Sequence, residues 1–227
     1  MSKLMNRILR KLAVKMGTLI YQVRAAVAQE TLPKFANTPK NSRIDLPRRI
    51  INPERIFLGN NVSFGPGTFL YAMTHYPTVS MQHPDKTLPV QRFDSEIIIG
   101  NNVTATADLQ IAAQSQITIE DDVMFASNIH INDGLHGYEN ANEPYKYQNI
   151  IKMAPIVIKK GSWIGQNVVI LPNVTIGEFV IIGANSVVNR NIPDRSIAVG
   201  SPAKVIKEWS QAELRWISMT NYKELRE

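Results

Sequence analysis

From Leu58 onward, apolar residues return every six positions. The block Leu58-Gly59-Asn60-Asn61-Val62-Ser63 is followed by blocks opening on Phe64 and Leu70. Ile99-Gly100-Asn101-Asn102-Val103-Thr104 starts a second set, continued from Ala105 and Ile111 to Gln116. A third set opens on Ile119-Glu120-Asp121-Asp122-Val123-Met124 and ends at His136; a fourth runs from Ile158 to Thr175, a fifth from Ile176 to Pro193. About fifteen such blocks in register mark an internal repeat, and a repeat organises the whole fold. Three blocks make a triangular turn of chain. Each block supplies one short flat strand and one corner. The opening aliphatic residue points inward, so Leu58, Ile99, Ile119, Ile158 and Ile176 are expected to form one column. Gly, Asn and Asp at the corners tolerate the tight turn. Backbone groups pair with the turns above and below, about 4.8 Å away. A jelly roll fits less well, because its turn signals come every ~8–12 residues.

Two insertions break the repeat, at about residues 76–96 and 137–155. The first follows His75 and the second follows His136, and each histidine is the last residue of an eighteen-residue turn. Both loops therefore leave at one corner. His75, Gln116 and His136 are expected to stack along that edge, with the histidines two turns apart. Loops extruded from a rigid scaffold are where binding and catalysis concentrate. His136 combines the corner, the loop and a flanking Gly137, which makes it the candidate for chemistry. His75 could contact substrate from its position alone. His83 lies in a proline-flanked loop and needs no role, and His130 falls on another corner.

The rest of the chain frames this repeat. Residues 1–30 predict a helix, with Leu4, Ile8, Leu12, Met16, Leu19, Val23 and Val27 at helical spacing. Lys3, Arg7, Arg10, Lys11, Lys15 and Arg24 form its basic side. Lys11 and Lys15 interrupt the apolar stretch and Arg24 abuts Ala26-Val27-Ala28, which argues against a cleaved secretory signal. The helix either packs against protein or lies on an anionic membrane surface. Residues 31–55 read as a lead-in to a repeat domain at 56–208. Residues 209–227, with Trp209, Leu214, Trp216 and Ile217, read as a terminal helix.

Composition narrows the chemistry. With 44% hydrophobic and 19% charged residues the chain is too apolar to be disordered. No run reaches the ~18 apolar residues of a membrane span. Cysteine is absent, which excludes disulfides, thiolate metal sites and thiol nucleophiles. Aromatics are only 7%, so the core is aliphatic. The net charge of +6 favours anionic partners. Basic residues are not interleaved with aromatics, which argues against nucleic acid. His130 and His136 lack a third histidine at matching spacing, so no metal site is expected.

The C-terminal third carries a specific resemblance. Ile156-Val157-Ile158-Lys159-Lys160-Gly161-Ser162-Trp163-Ile164-Gly165 leads into Ile170-Leu171-Pro172-Asn173-Val174-Thr175-Ile176-Gly177. Ile182-Gly183-Ala184-Asn185-Ser186-Val187-Val188 and Gly200-Ser201-Pro202-Ala203-Lys204-Val205-Ile206 follow. Over about residues 56–208 the chain resembles the hexapeptide-repeat acetyltransferases, the group of maltose, galactoside and lipopolysaccharide or capsule O-acetyltransferases. The resemblance implies a left-handed parallel β-helix, against the usual right-handed crossover. It implies a homotrimer with sites between subunits, acetyl-CoA as co-substrate, and His136 as general base. Asp133-Gly134-Leu135-His136-Gly137 is similar to the D-H-x-H-G motif of the surface-polysaccharide branch, with Gly134 in place of its first histidine. Asp133 joins the substrate-binding candidates through that motif. Thr106 stands where sugar acetyltransferases of the maltose and galactoside type carry an acceptor-binding asparagine. Trp163, Gln166 and Ala184 match positions along the pantetheine arm; Arg190, Lys204 and Lys207 match positions that meet phosphates.

These readings imply acetyl-CoA-dependent O-acetylation of a sugar hydroxyl, in a surface polysaccharide or its precursor, by a cytoplasmic enzyme with peripheral membrane contact through residues 1–30 left open. N-acetylation of a nucleotide-linked amino sugar, acetylation of an antibiotic, and a catalytically silent assembly subunit remain the alternatives.

Overall fold

The computed structural model describes residues 3–85, 87–151 and 153–219. Among the described residues one α-helix, Lys3–Glu30, is followed by short strands that the chain visits as three columns, in the same order each time.

The first column is a five-stranded parallel sheet of Ile56–Leu58, Glu96–Ile99, Gln116–Ile119, Ile156–Ile158 and Thr175–Ile176. Its register pairs Leu58 with Ile99, Ile99 with Ile119, Ile119 with Ile158, and Ile158 with Ile176. The column expected from the six-residue period is therefore present. An isolated parallel bridge from Ile176 to Ile192 extends it. The second column aligns Ile44, Phe64, Ala105, Phe125, Ile164, Ile182 and Ala198. The third aligns Ile50, Leu70, Ile111, Ile131, Ile170 and Val188. Nearly all of these side chains are buried and belong to one apolar cluster. Burying each aliphatic side chain is worth roughly 1.5–3 kcal/mol, so a column of six outweighs any single corner contact.

The corners show why Asn and Asp recur. Asn61, Asn102 and Asp122 all adopt left-handed backbone, as does Gly161. These short polar side chains tolerate that conformation. Their amides also form a ladder, Asn61 donating to Asn102 at 3.1 Å and Asn102 to Asp122 at 2.9 Å. A second ladder runs from Asn128 to Asn167 to Asn185, each step 2.9 Å.

Two expectations need correction. Residues 31–55 are more than a lead-in: Arg43–Ile44 and Arg48–Ile51 pair in parallel with Ser63–Phe64 and Thr68–Ala72, adding a tier ahead of Leu58. The terminal helix is also wrong over its described part, residues 209–219. Lys204–Ser210 and Arg215–Ser218 form an antiparallel hairpin, and Trp209 faces Trp216 across it, ring centroids 5.5 Å apart. Residues 220–227 of that expected helix lie outside the described residues. The hairpin caps the last parallel strand, Ser196–Val199, whose outer edge would otherwise stay unpaired.

Candidate functional site

The chain leaves the stack at two places. After Ala72 it peels away, and His75–Tyr76 pairs antiparallel with Gln91–Arg92. After Asn132 it peels away again, and Leu135–His136 pairs antiparallel with Ile150–Ile151. Both insertions thus begin and end as narrow ladders from one edge of the stack, two tiers apart. The edge differs from expectation in one respect. Gln116 stays in the sheet beside Glu96, its amide 3.5 Å from that carboxylate, while both histidines are carried outward with the loops.

The two loops then meet. Gln91 uses its side-chain amide as a strand would: its oxygen accepts the Ile150 N–H at 2.7 Å and its nitrogen donates to the Ile150 carbonyl at 3.1 Å. Tyr76, Phe93 and Ile150 form a small apolar cluster of their own, with Met73 and Met81 against it. The Tyr76 hydroxyl donates to the Lys146 carbonyl. Burial pushes the Tyr76 phenol above its ordinary pKa, so it remains a donor. His83 lies against Tyr147, ring centroids 4.5 Å apart.

His136 is exposed on this joint surface. Its ring stands edge-on to the buried ring of Tyr76. Among the described residues neither imidazole nitrogen is engaged in a hydrogen bond, so both are open to a ligand. His75 is also exposed, with Nδ1 3.2 Å from the Thr74 hydroxyl.

Asp133 is placed differently from a substrate contact. Its side chain is fully buried, and its carboxylate accepts the backbone N–H groups of Gln114 at 2.6 Å and Ser115 at 2.9 Å. Those amides belong to the tier that loses its neighbour where the chain peels away. The carboxylate replaces the missing carbonyls, since buried backbone donors need partners. The Asp133 carbonyl also receives the Ala154 N–H at 3.0 Å, tying down the returning end of the loop. Asp133 is therefore an anchor for the His136 corner. Burial pushes its carboxyl above the usual range, opposed by the amide hydrogen bonds.

Gln114, which the sequence did not single out, is buried here, and its Oε1 has no hydrogen-bond partner among the described residues. A Cβ added at Gly134 would lie 2.7 Å from that oxygen, so glycine at 134 leaves room for it.

The remaining candidates gather elsewhere. Trp163 projects from the outer face of the second column, 45% exposed, in register with Met124 and Ile181. Gln166 and Ala184 are exposed at the next corner, where Gly165 approaches the following tier so closely that a Cβ would meet the Ile182 oxygen at 2.6 Å. Neither the Gln166 nor the Ala184 N–H has an acceptor among the described residues. Lys204 pairs with Val199 and Lys207 with Ile197, at the end of the same face and corner. Thr106 is exposed on that corner too, two residues past the Thr104 that registers with Met124. Arg190 departs from the group. It follows Val188 in the third column and lies towards the His136 edge. The structure thus brings Thr106, Trp163, Gln166, Ala184, Lys204 and Lys207 together, and places His136, His75 and Arg190 on a different edge of the same chain.

Residues 155–190 match the family model for the bacterial transferase hexapeptide, six repeats. A protein of Escherichia coli (strain K12), provisionally named a lipopolysaccharide biosynthesis O-acetyl transferase, is 34% identical over 126 residues, 53% of this chain and 64% of its own length. Galactoside O-acetyltransferase of the same strain is 38% identical over 116 residues, 51% of this chain and 56% of the enzyme. The chain spans less than two thirds of the length of these curated relatives. Among solved structures, a maltose O-acetyltransferase from Clostridium difficile 630 superposes with a TM-score of 0.50 at 28% identity, covering 70% of this chain and 72% of that one. The N-acyltransferase AntD from Bacillus cereus, in complex with dTDP and 3-hydroxybutyryl-CoA, shares the fold with a TM-score of 0.61 at 24% identity, covering 84% of this chain and 87% of that one.

Proposed function

This chain carries the hexapeptide repeat of the bacterial transferases and is related to named acetyltransferases, and on that basis we propose that it is an acetyl-CoA-dependent sugar O-acetyltransferase with His136 as general base. Its three columns are read as a left-handed parallel β-helix. The observation that carries the proposal is the His136 corner: an exposed imidazole with both nitrogens open, backed by Tyr76, on a loop that Asp133 anchors.

The donor fits the other corner. Trp163 and Met124 offer an exposed apolar surface, the N–H groups of Gln166 and Ala184 are open, and Lys204 and Lys207 stand at one end. That combination suits a long amide-bearing chain that ends in phosphates, since charge-assisted contacts to phosphate are the strong ones. Acetyl-CoA supplies the acetyl group as a thioester. A sugar hydroxyl is too weak an acid to attack a thioester unaided, and a ring nitrogen of His136 accepts its proton as attack begins. No covalent adduct with the protein is required, which agrees with a chain lacking cysteine.

The two corners do not meet within one chain. A homotrimer would close the gap, by setting the His136 edge of one subunit against the Trp163 corner of the next.

The relatives named for lipopolysaccharide and galactoside chemistry support a sugar hydroxyl as acceptor. Thr106 in place of the expected asparagine turns the reading away from maltose and galactosides, towards a surface polysaccharide or its precursor. Free-thiol release from acetyl-CoA, measured against sugars, oligosaccharides and nucleotide-linked amino sugars, tests this. Turnover with a hydroxyl acceptor, lost by several orders of magnitude in His136→Ala while acetyl-CoA still binds, is the expected result. Turnover confined to amino acceptors would move the reaction to N-acetylation, and no turnover with no CoA binding would leave a silent scaffold.

A further inference from the structure

We propose that the Lys3–Glu30 helix is a lipid-binding element that lies flat on an anionic bilayer. The proposal is independent of the catalytic reading. At 1.5 Å per residue the helix is about 40 Å long, yet Ala28 is the one side chain described as buried among residues 5–30. Among the described residues the helix meets its own body near its C-terminal end. There Tyr21, Arg24, Ala25, Ala28 and Gln29 face Arg43, Asp45, Leu46 and Pro66 across a cleft, and Arg24 donates to the Leu46 carbonyl at 3.3 Å.

That contact uses the wrong side of the helix to cover its apolar stripe. Met5, Leu12, Met16, Leu19, Val23 and Val27 follow one another at three-, four- or seven-residue spacing and line one side. Tyr21 and Ala25 come two residues after Leu19 and Val23, which turns them about 200° away. Docking by the Tyr21–Ala25–Ala28 side leaves the stripe outward, and these six side chains are between 44% and 62% exposed.

Charge selects the occupant. Residues 1–29 contain no Asp or Glu, whereas Lys11, Lys15 and Arg24 lie to either side of the stripe. Bundling with the same helix from a second copy would crowd these cations together without the acidic partners that flank such seams. A surface of anionic phospholipid neutralises them and takes up the stripe at the same time. No helix among the described residues is long and apolar enough to cross a membrane, so the geometry is one of lying on the bilayer. The effect is to hold the repeat domain beside a membrane surface.

Flotation of the full chain with vesicles tests the proposal without any substrate. With phosphatidylglycerol–phosphatidylcholine vesicles the chain should float, at least tenfold more than with phosphatidylcholine alone, and high salt should release it. Two double variants, Leu12→Glu with Leu19→Glu and Lys11→Glu with Lys15→Glu, should each lose flotation while keeping the parent's oligomeric size. The proposal is overturned if the parent stays unbound with anionic vesicles, or if the Leu12→Glu, Leu19→Glu variant floats like the parent. It is overturned equally if that variant falls to a smaller oligomer, which would assign the stripe to a second copy.

Discussion

The ring of Tyr76 stands edge-on to the imidazole of His136, centroids 5.3 Å apart and planes at 69°. The two residues come from different loops, so one insertion positions the proposed base of the other. A 1 Å displacement of a catalytic group can cost ~100-fold in rate. Tyr76→Phe keeps the ring and loses only the bond to the Lys146 carbonyl; it should lower kcat by a few-fold. Tyr76→Ala removes the support and should lower kcat ten- to a hundredfold, with little change in the KM for acetyl-CoA. Equal kcat in parent and Tyr76→Ala would remove Tyr76 as a positioning residue.

Gln114 holds a buried carbonyl oxygen beside Gly134, two residues before His136, that is unpaired among the described residues. A buried acceptor without a partner costs about 1–3 kcal/mol. Gln114→Met keeps the volume and removes the orphan atom. The variant should melt at or above the parent's temperature, with the KM for the acceptor unchanged. A melting temperature well below the parent's would mean that the Gln114 oxygen is paired in the folded chain.

Charge reversal at Lys204 and Lys207 should raise the KM for acetyl-CoA at least tenfold and leave kcat within about twofold, because such contacts act on binding and not on the reacting carbonyl. Trp163→Ala should act in the same direction. The fold should tolerate all three changes, since Trp163 and Lys204 project outward from the stack and Lys207 lies half-buried on the capping hairpin, outside the apolar core. Steady-state kinetics with varied acetyl-CoA would read both constants, and an unchanged KM would take these residues out of the donor site.

The stack was legible in the sequence because its cause is local and periodic. Leu58, Ile99, Ile119, Ile158 and Ile176 could be aligned by counting, and the register agrees pair by pair. The early tier escaped notice because Arg48-Arg49-Ile50-Ile51 lacks the aliphatic-Gly opening that marks later blocks. The terminal hairpin reads as a helix in the sequence because Trp209 and Trp216, seven residues apart, fit a helical face as well as a cross-strand pair. For the site, the corner of His136 followed from block counting. Its support did not: Tyr76, Gln91 and Gln114 reach it through contacts between distant segments, which no spacing rule reports. Asp133 looked like a ligand residue by motif, and only its burial shows that its oxygens are already spent on Gln114 and Ser115.

Asp133 gives a pH test of that anchoring role. Burial raises its carboxyl above the ordinary 3.8. The folded state therefore holds the proton more tightly than the unfolded chain. This contribution to stability is complete below the unfolded pKa and declines as pH rises through the raised folded value. Asp133→Asn cannot titrate, and it trades one acceptor oxygen for a donor facing a backbone N–H. It should destabilise the fold by about 1–3 kcal/mol, and its deficit against the parent should be larger near pH 4 than near pH 7. Because the anchor sets the His136 loop, kcat should fall as well, with acetyl-CoA binding unaffected. Denaturant melts at the two pH values, set beside kinetics, would check both; a deficit independent of pH would mean that the Asp133 carboxyl keeps its ordinary acidity in the fold.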